Sequence, residues 1–285
     1  MLLKEQLHTV AGLQLLIQQM VTGINAGIHL TQQWDRGITF EQFRQYQAGD
    51  DIRLIDWKAY ARSDRYYIRE SAKENSMIVH LLLDNSASMA HPNREETYEK
   101  MDIARLIVGS LAQLIFNQGD RICLHLLSDE TQNHGVYYDA LPPLLNDLLR
   151  LSPKGNAAVK SFTEASKLFL VISDCYETEQ EISKTLQQLV FRKNEVLLFY
   201  LTFENEQQLD YPTQVLLEDL ETGQTKLIHT NNIKADYLQN REDHQTHFSK
   251  MMKPPFSFFC KISNEMTIGK QLNSFLLKRQ NAFRR

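Results

Sequence analysis

Three oxygen-bearing side chains follow an apolar run at alternate positions. Residues 80–89 read HLLLDNSASM, so that Asp84, Ser86 and Ser88 come directly after three leucines. Carboxylate and hydroxyl oxygens are the ligands that hard cations such as Mg²⁺, Mn²⁺ and Ca²⁺ prefer. Because serine oxygens add no charge, an ion held here would stay under-neutralised and could accept a carboxylate from a partner. The stretch therefore predicts a divalent-cation site suited to binding, without requiring catalysis.

The same residues also have a purely structural interpretation. Ser86 or Ser88 would cap the next helical turn, and Asp84 would accept bonds from backbone amides. A second acidic strand end favours the cation site over this structural interpretation, since the apolar run LFLVISD ends on Asp174. Parallel sheets bind ligands outside the carboxyl ends of their strands. We therefore expect these four side chains to share one metal site, with the polar segment TFENE (202–206) ending a third strand nearby.

Short apolar runs alternate with helical patterns over most of the chain. The strand-like runs cover residues 77–84, 121–127, 168–174, 195–201 and 256–262. The helical patterns, with apolar residues at steps of three and four, cover residues 4–22, 95–117, 177–192, 234–252 and 268–283. A hairpin is predicted at 217–230, where Gly223 would supply the turn. The alternation predicts the α/β class, with a mostly parallel central sheet and helices on both faces.

The region between the first helix and the first strand has a different composition. Residues 24–76 are rich in charged and aromatic side chains and contain few long apolar runs. We therefore predict two parts. Residues 1–76 would be an N-terminal helix and charged segment packed on a main α/β domain, residues 77–285.

The segment AGDDIRLIDWKAYAR holds opposite charges at close spacing. Together with the arginine just before it, the charged residues are Arg44, Asp50, Asp51, Arg53, Asp56, Lys58 and Arg62. Such alternation indicates ion pairs, in which arginine forks fix the geometry. Two interpretations stay open: the segment straps the N-terminal part onto the sheet, or it forms a docking surface anchored by Trp57 and Tyr60. The absence of a glycine-rich loop argues against a nucleotide site.

Composition excludes several classes of partner and location. The net charge is −4, which gives no reason to expect nucleic acid as a partner. Three dispersed cysteines without a C-x-x-C pair indicate a reducing compartment. No run approaches the ~18 apolar residues that span a bilayer. We expect a cytoplasmic protein without an integral membrane span, compatible with peripheral docking to a membrane complex.

Several other polar residues are expected to be structural. His80 and His125 interrupt apolar strands and are expected to be satisfied core residues. His244 and His247 lie three apart on a predicted helix, whereas the zinc-protease pattern needs a spacing of four, so a solvated helix face is expected. The basic end around Arg279 is expected to be solvated as well.

Two stretches resemble known families. DNSASM resembles the D-x-S-x-S element of the metal-ion-dependent adhesion site in von Willebrand factor A domains. FRQYQAGDDIRLIDWKAYARSDRYYIRE (43–70) resembles the signature of the family called domain of unknown function 58, with its Arg-x-Tyr, Gly-Asp-Asp, Ile-Asp-Trp and Ala-Arg elements in order. VISD (171–174) and LEDLETG (217–223) resemble further elements of that family.

The resemblance implies a fold, an ion and a partner. The fold would be von Willebrand factor A-like, a Rossmann-type three-layer arrangement with an N-terminal helical and irregular extension. The ion would be Mg²⁺, with Mn²⁺ or Ca²⁺ as alternatives. Relatives are encoded beside MoxR-type AAA+ ATPases and are thought to act as adaptors in the assembly or activation of other proteins.

One element of the adhesion site is missing. The site normally takes a threonine from a loop before the second aspartate, with a helix between them. Residues 155–168 are too few for a loop, a helix and a strand entry. Thr163 lies only eleven residues before Asp174, and Asn156 is a poorer ligand. A weakened, water-completed or lost metal site is therefore an alternative.

These patterns favour a non-enzymatic binding adaptor, and two other functions are kept beside it. An interaction module with a degenerate, metal-free site is favoured by the short segment at 155–168. A metal-dependent hydrolase with Asp84 as nucleophile would normally need a second aspartate two residues later as general acid, and Ser86 stands there instead.

Overall fold

The structure is a computed structural model. It describes residues 4–22, 24, 41–47, 50, 55–63, 65–71, 76–93, 95, 97–128, 135–163, 165, 167–176, 180–209, 211–220, 223–263 and 268–283. The chain divides into two compact units, Thr31–Met77 and a larger unit of Met1–Leu30 with Ile78–Arg285. The N-terminal helix expected at 4–22 is thus grouped with the α/β unit and not with the charged segment that follows it.

Helices and strands alternate as the apolar pattern predicts. The helices are α1 (Lys4–Leu7), α2 (Val10–Thr22), α3 (Trp57–Ser63), α4 (Lys100–Phe116), α5 (Leu141–Arg150), α6 (Glu181–Phe191), α7 (Glu204–Gln208), α8 (Thr230–Met251) and α9 (Ile268–Phe283), with a 3-10 turn at Ala87–Ala90. The strands are β1 (Glu41–Gln45), β2 (Tyr67–Ser71), β3 (Ile78–Leu83), β4 (Arg121–Leu126), β5 (Val136–Tyr138), β6 (Leu168–Ser173), β7 (Glu195–Leu201), β8 (Gln214–Glu218), β9 (Thr225–His229) and β10 (Ser257–Ile262). None of the helices in the described ranges combines the length and apolarity needed to cross a membrane.

The central sheet has six strands in the order β10-β7-β6-β3-β4-β5. All neighbouring pairs are parallel except β4 with β5, which is antiparallel at the edge. The chain runs from β3 to β4 on one side and later returns to β6 on the other side of β3. This reversal of direction opens a crevice at the carboxyl ends of β3 and β6, where open α/β sheets bind their ligands.

Helices cover both faces of this sheet, which confirms the predicted α/β class with a mostly parallel sheet. On one face, Leu198 and Tyr200 of β7 belong to a buried apolar cluster with Leu186 of α6 and Phe248 of α8. Successive strand residues point to opposite faces. Phe199 therefore points the other way, and its ring lies 5.3 Å from that of Phe275 in α9.

The N-terminal helix packs on the α/β unit through a glycine. A Cβ atom added at Gly109 of α4 would lie 2.3 Å from Cδ1 of Ile17 in α2, so a larger residue would force the tip of the Ile17 side chain to move. Ile17 and Leu13 are fully buried. The helix α2 is therefore part of the core that supports α4, whose first residue reaches the crevice.

The predicted hairpin at 217–230 is present, with different bounds. β8 and β9 pair antiparallel, and Leu216 lies opposite Leu227. Both leucines are 63% exposed. Gly223 has a positive φ of 68°, which glycine adopts without strain. The hairpin therefore presents apolar side chains to solvent beside the central sheet.

The expectation of a solvated basic end is wrong for Arg279. Its side chain is 1% exposed and pairs with Glu195, which is fully buried at the start of β7. Arg279 Nη2 donates to Glu195 Oε2 at 2.8 Å, and its Nε donates to the other carboxylate oxygen. The helical pattern of α9 did not indicate this pairing, because Glu195 lies far away in the sequence.

Candidate functional site

The crevice between β3 and β6 gathers the residues that the sequence analysis assigned to a metal site. Asp84 directly follows β3, and Asp174 directly follows β6. The Asp84 amide donates to the carbonyl of Ile172 at 2.9 Å, which ties the two strand ends together. All four predicted side chains are buried, with exposed fractions of 0% for Asp84 and Ser86, 8% for Ser88 and 4% for Asp174.

Both oxygens of the Asp84 carboxylate accept hydrogen bonds from nearby serines. Oδ1 accepts from the backbone amide of Ser86 at 3.0 Å and from its hydroxyl at 2.7 Å. Oδ2 accepts from the hydroxyl of Ser173 at 2.6 Å. Asp84 thus accepts a backbone amide, as the structural interpretation expects. The Ser86 side chain binds Asp84 and makes no capping bond to the 3-10 turn that follows it.

Ser88 connects the two halves of the crevice. Its hydroxyl lies 3.1 Å from that of Ser86 and donates to Asp174 Oδ1 at 3.3 Å. The same Asp174 oxygen accepts the backbone amide of Tyr176 at 3.1 Å. The predicted residues therefore form one continuous hydrogen-bonded row from Asp84 to Asp174.

Lys100 completes this site, although no pattern in the sequence indicated it. Its Nζ donates to Asp174 Oδ2 at 2.8 Å and to Glu206 Oε1 at 2.7 Å. The Lys100 side chain is only 3% exposed. Lys100 is also the first residue of α4, where the helix dipole disfavours a positive charge. The two carboxylates therefore account for the position of its ammonium group.

Glu206 comes from the polar segment that was predicted to end the third strand. It lies in the short helix α7 after β7, and its Oε2 accepts the backbone amide of Phe203 at 2.8 Å. Arg241 of α8 lies 3.9 Å from Glu206 Oε1 and donates to the hydroxyl of Thr202. The position of this segment after a strand is visible in the sequence, but only the fold brings Lys100 and Arg241 to it.

The charges in this cluster shift its pKa values in opposite directions. Burial raises the pKa of Asp84 to about 7, and the charge of Asp174 adds to the rise. Burial would also raise the pKa of Glu206, but Lys100 and Arg241 outweigh it and lower that pKa to about 2. Burial would lower the pKa of Lys100, yet Asp174 and Glu206 raise it above its usual value. Lys100 and Glu206 are therefore charged at neutral pH.

A cavity of about 430 Å³ opens from this cluster towards the β8–β9 hairpin. Its lining comprises Ser88, His91, Lys100, Asp174, Tyr176, Glu206, Leu217, Glu218, Asp219, Leu220, Gln224, Lys226, Ile228 and Ile233. The floor is the buried charged cluster, and the wall is the hairpin with its apolar and acidic side chains. Such a combination of an apolar wall and a few convergent polar groups is typical of a binding site.

The segment that should carry the missing threonine has no helix at its described positions between 155 and 163. The carbonyl of Gly155 accepts the backbone amide of Ala87, so the segment braces the loop that holds Ser86 and Ser88. Thr163 is exposed, in contrast to the buried cluster. Neither Thr163 nor Asn156 lines the cavity.

The signature residues are described only in part. Asp51 and Arg53 lie outside the described residues, as does the side chain of Arg44. In the smaller unit, Asp50 Oδ2 accepts the amide of Gln47 at 2.8 Å. Asp56 Oδ1 accepts the amides at positions 58 and 59, which caps the start of α3.

The aromatic and basic residues of α3 face solvent. Trp57 is 61% exposed, and its ring meets the edge of Tyr60, which stacks on Tyr66 with ring centroids 4.5 Å apart. Arg62 is also exposed. An exposed tryptophan on a small aromatic cluster is compatible with the docking interpretation of this segment.

A second group of potential ligands, His80, Cys123 and His125, lies on one face of β3 and β4. His80 Nδ1 is 3.1 Å from His125 Nε2, and the ring planes differ by only 18°. The ring centroids are 5.4 Å apart. This distance equals the separation of the two nitrogens plus the distance from each nitrogen to the centre of its own ring, so both nitrogens lie on the line that joins the two centroids. The two nitrogens therefore point at each other, as in an N–H···N bond, and do not converge on an ion.

His244 of α8 packs inward, so the expectation of a solvated face is wrong for this residue. Its Nε2 lies 3.0 Å from the carbonyl oxygen of Cys175, and its Nδ1 lies 3.2 Å from the hydroxyl of Tyr200. His247, by contrast, is exposed. His244 thus helps to hold the backbone that follows Asp174.

Comparisons with known proteins give a family and several relatives. The model of the family described as "Protein of unknown function DUF58" matches residues 42–247. Uncharacterized proteins of Mycobacterium bovis (strain ATCC BAA-935 / AF2122/97) and Mycobacterium tuberculosis (strain ATCC 25618 / H37Rv) are each 29% identical over 110 residues. The match covers 39% of this chain and 34% of each relative, so the chain spans about a third of the length of the curated relatives it matches.

Two solved structures are also similar. BatB, a conserved hypothetical protein from Bacteroides thetaiotaomicron, has a TM-score of 0.43 and 12% identity, over 72% of this chain and 100% of that one. An aerotolerance-related membrane protein from Bacteroides fragilis NCTC 9343 has a TM-score of 0.41 and 14% identity, over 71% of this chain and 100% of that one.

Proposed function

The chain belongs to the DUF58 family of proteins of unknown function, and on that premise we propose that it is a non-enzymatic adaptor that binds another protein at the cavity above Asp174. The observation that carries this proposal is the cavity itself, about 430 Å³ in volume, at the reversal point of the sheet. Its hairpin wall offers the half-buried apolar side chains of Leu217 and Ile228, and its floor offers fixed charges. Such a surface suits a protein segment with apolar and charged side chains.

We further propose that the larger unit is a von Willebrand factor A-like domain. The strand order, with one antiparallel edge strand, and the D-x-S-x-S row at the end of β3 support this proposal. A MoxR-type AAA+ ATPase is the partner that the family resemblance favours. A cytoplasmic location is proposed with it.

The residues at the crevice do not fit the Mg²⁺ ion that the adhesion-site resemblance implies. Asp84 and the serines supply hard oxygens, but Lys100 Nζ lies 2.8 Å from Asp174 Oδ2. A divalent ion about 4 Å from that ammonium group would be repelled by on the order of 8 kcal/mol at an effective dielectric constant of about 20. Among the described residues, no threonine lines the cavity. We therefore favour the metal-free form of the adaptor.

A hydrolase is disfavoured by the surroundings of Asp84. The side chain is fully buried. Both of its oxygens accept hydrogen bonds from serines. A nucleophile must reach its substrate, and this carboxylate lies beneath Ser86 and Ser173.

Capture of partners from the native cell tests the adaptor proposal. The tagged chain is compared with a Leu217→Asp variant, which places a charge on the apolar wall of the cavity, and with a control variant, Leu15→Asp, at an exposed position of α2. We expect the wild type and Leu15→Asp to capture the AAA+ ATPase or its client, and we expect Leu217→Asp to fail to capture it. Equal capture by all three proteins would contradict the proposal. Capture that disappears in chelator would restore the magnesium hypothesis.

A further inference from the structure

Lys100 occupies the place in the carboxylate cluster where a bound cation would neutralise charge. Its Nζ contacts Asp174 at 2.8 Å and Glu206 at 2.7 Å, and its side chain is 3% exposed. Asp174 in turn accepts the hydroxyl of Ser88. The ammonium group is therefore joined to the D-x-S-x-S row through a single shared carboxylate.

The fold holds this ammonium group in place. Lys100 begins α4, and its backbone amide donates to the carbonyl of His91 at 3.1 Å. Asp102 accepts the amide of Glu99 at 3.0 Å, so the first turn of α4 is capped. The side chain thus starts from a fixed backbone beside the cavity.

We propose that Lys100 is the resident cation of this site, so that the cavity works without a metal ion and accepts a basic side chain of its partner. The lysine satisfies Asp174 and Glu206 in the way that a divalent ion satisfies its carboxylate ligands. Unlike a divalent ion, it leaves no open coordination position for a carboxylate from outside.

The charges of the cavity lining select the class of ligand. Four carboxylates, from Asp174, Glu206, Glu218 and Asp219, face two ammonium groups, from Lys100 and Lys226. The guanidinium of Arg241, 3.9 Å from Glu206, offsets one further carboxylate, which leaves a single excess negative charge. This excess favours an arginine or lysine side chain and disfavours an acidic one. The apolar wall, with Leu217 and Ile228, would cover the aliphatic part of such a side chain.

Titration with Mg²⁺ tests the resident cation directly. By isothermal titration calorimetry, the wild-type chain and Lys100→Arg should show no saturable binding up to about 10 mM Mg²⁺. Lys100→Met should bind Mg²⁺ with a Kd of about 1 mM or lower, because the freed carboxylates and serine oxygens form a hard-oxygen site. Lys184→Met, at an exposed position of α6, is the matched control and should behave as wild type.

Two outcomes overturn the resident-cation proposal: saturable binding of Mg²⁺ by the wild type below about 10 mM, or no gain of binding in Lys100→Met. Lys100→Met could unfold in the presence of chelator. In that case its thermal unfolding is followed by circular dichroism, and a cooperative transition that returns when Mg²⁺ is added shows that the ion binds in place of the ammonium group. If Mg²⁺ restores a cooperative transition neither in Lys100→Met nor in Lys100→Gln, the proposal is contradicted. These measurements use no partner, so they are independent of the proposed adaptor function.

The ligand class rests on the proposed binding role of the cavity and has its own test. In amide NMR titrations, N-acetyl-arginine methylamide should shift the resonances of Tyr176 and Lys226, and N-acetyl-glutamate methylamide should not. Shifts caused by the glutamate compound alone, or by neither compound, would overturn the ligand class. Either result would leave the magnesium titration valid.

Discussion

Lys100 Nζ lies 2.8 Å from Asp174 Oδ2, so the first residue of α4 neutralises the aspartate that ends β6. Neither side chain is more than 3% exposed. Because Glu206 shares the same ammonium group, the pair links three elements at the mouth of the crevice. The stability of the cluster and its response to pH follow from this arrangement.

Replacing Lys100 by methionine should destabilise the fold strongly in the absence of metal. Asp174 would be left buried without its ammonium partner, and Glu206 would keep only Arg241, at 3.9 Å. Breaking a buried pair costs about 3–5 kcal/mol. Urea unfolding at pH 7 in chelator measures the loss. The exposed control Lys184→Met should change the free energy of unfolding by about 0.5 kcal/mol at most. A loss below about 1 kcal/mol in Lys100→Met would mean that water solvates the pair.

The stability of Asp84→Asn relative to the wild type should be higher at pH 8 than at pH 5. The pKa of Asp84 is raised from 3.8 to about 7 in the fold, so the native state binds more protons than the unfolded state between these pH values. The free energy of unfolding of the wild type therefore falls as pH rises through this window. The total fall is roughly 1.4 kcal/mol for each unit by which folding raises the pKa of Asp84.

The asparagine variant lacks this penalty. Its melting temperature relative to wild type should rise from pH 5 to pH 8, as scanning calorimetry would measure. The variant Leu15→Asn, at an exposed position without a titratable side chain, is the control and should show a difference that does not change with pH. A constant difference for Asp84→Asn would mean that Asp84 is ionised throughout.

Arg279→Met should be more destabilising than the double variant Glu195→Met/Arg279→Met. The single change removes the guanidinium group that pairs with the buried Glu195, and breaking such a buried pair costs about 3–5 kcal/mol. The double change replaces both charged groups by apolar ones. Denaturant midpoints of the wild type, both single variants and the double variant give the coupling energy. Additive effects in this cycle would show that the two side chains do not stabilise each other.

Trp57→Ala should weaken partner capture without changing stability. Its side chain is 61% exposed, so little buried area is lost on truncation, and an effect on unfolding of about 0.5 kcal/mol or less is expected. Capture from the native cell and urea unfolding are measured on the same preparation. A loss of more than about 2 kcal/mol would instead support the strap interpretation, because it would require substantial burial of the ring.

Five of the six strands of the central sheet and most of the long helices could be predicted from the sequence because their apolar pattern is local. The short elements β1, β2, α3 and α7 were not predicted, and neither were β5 and α5. β5 has only three residues, two of them exposed, and α5 begins Leu-Pro-Pro, a sequence that looks like an interruption although proline suits the first turn of a helix.

The part of the candidate site that depends on local sequence could be predicted, and the part that depends on distant residues could not. Asp84, Ser86 and Ser88 are neighbours in sequence, and Asp174 ends a recognisable strand. Lys100 looks like an ordinary charged residue at a helix start. Its role depends on Asp174 and Glu206, which are 74 and 106 residues away and meet it only when the sheet forms.

Site-specific photo-crosslinking tests the central claim, that the cavity is the binding edge, most directly. A benzoyl-phenylalanine is placed at Tyr176, which lines the cavity and is 54% exposed, or at Tyr137, which is 62% exposed on the edge strand β5. After irradiation in the native cell, we predict a discrete crosslinked protein from position 176 that is absent from position 137 and unchanged by depletion of divalent ions. The same crosslinks from both positions, or from position 137 alone, would contradict the account.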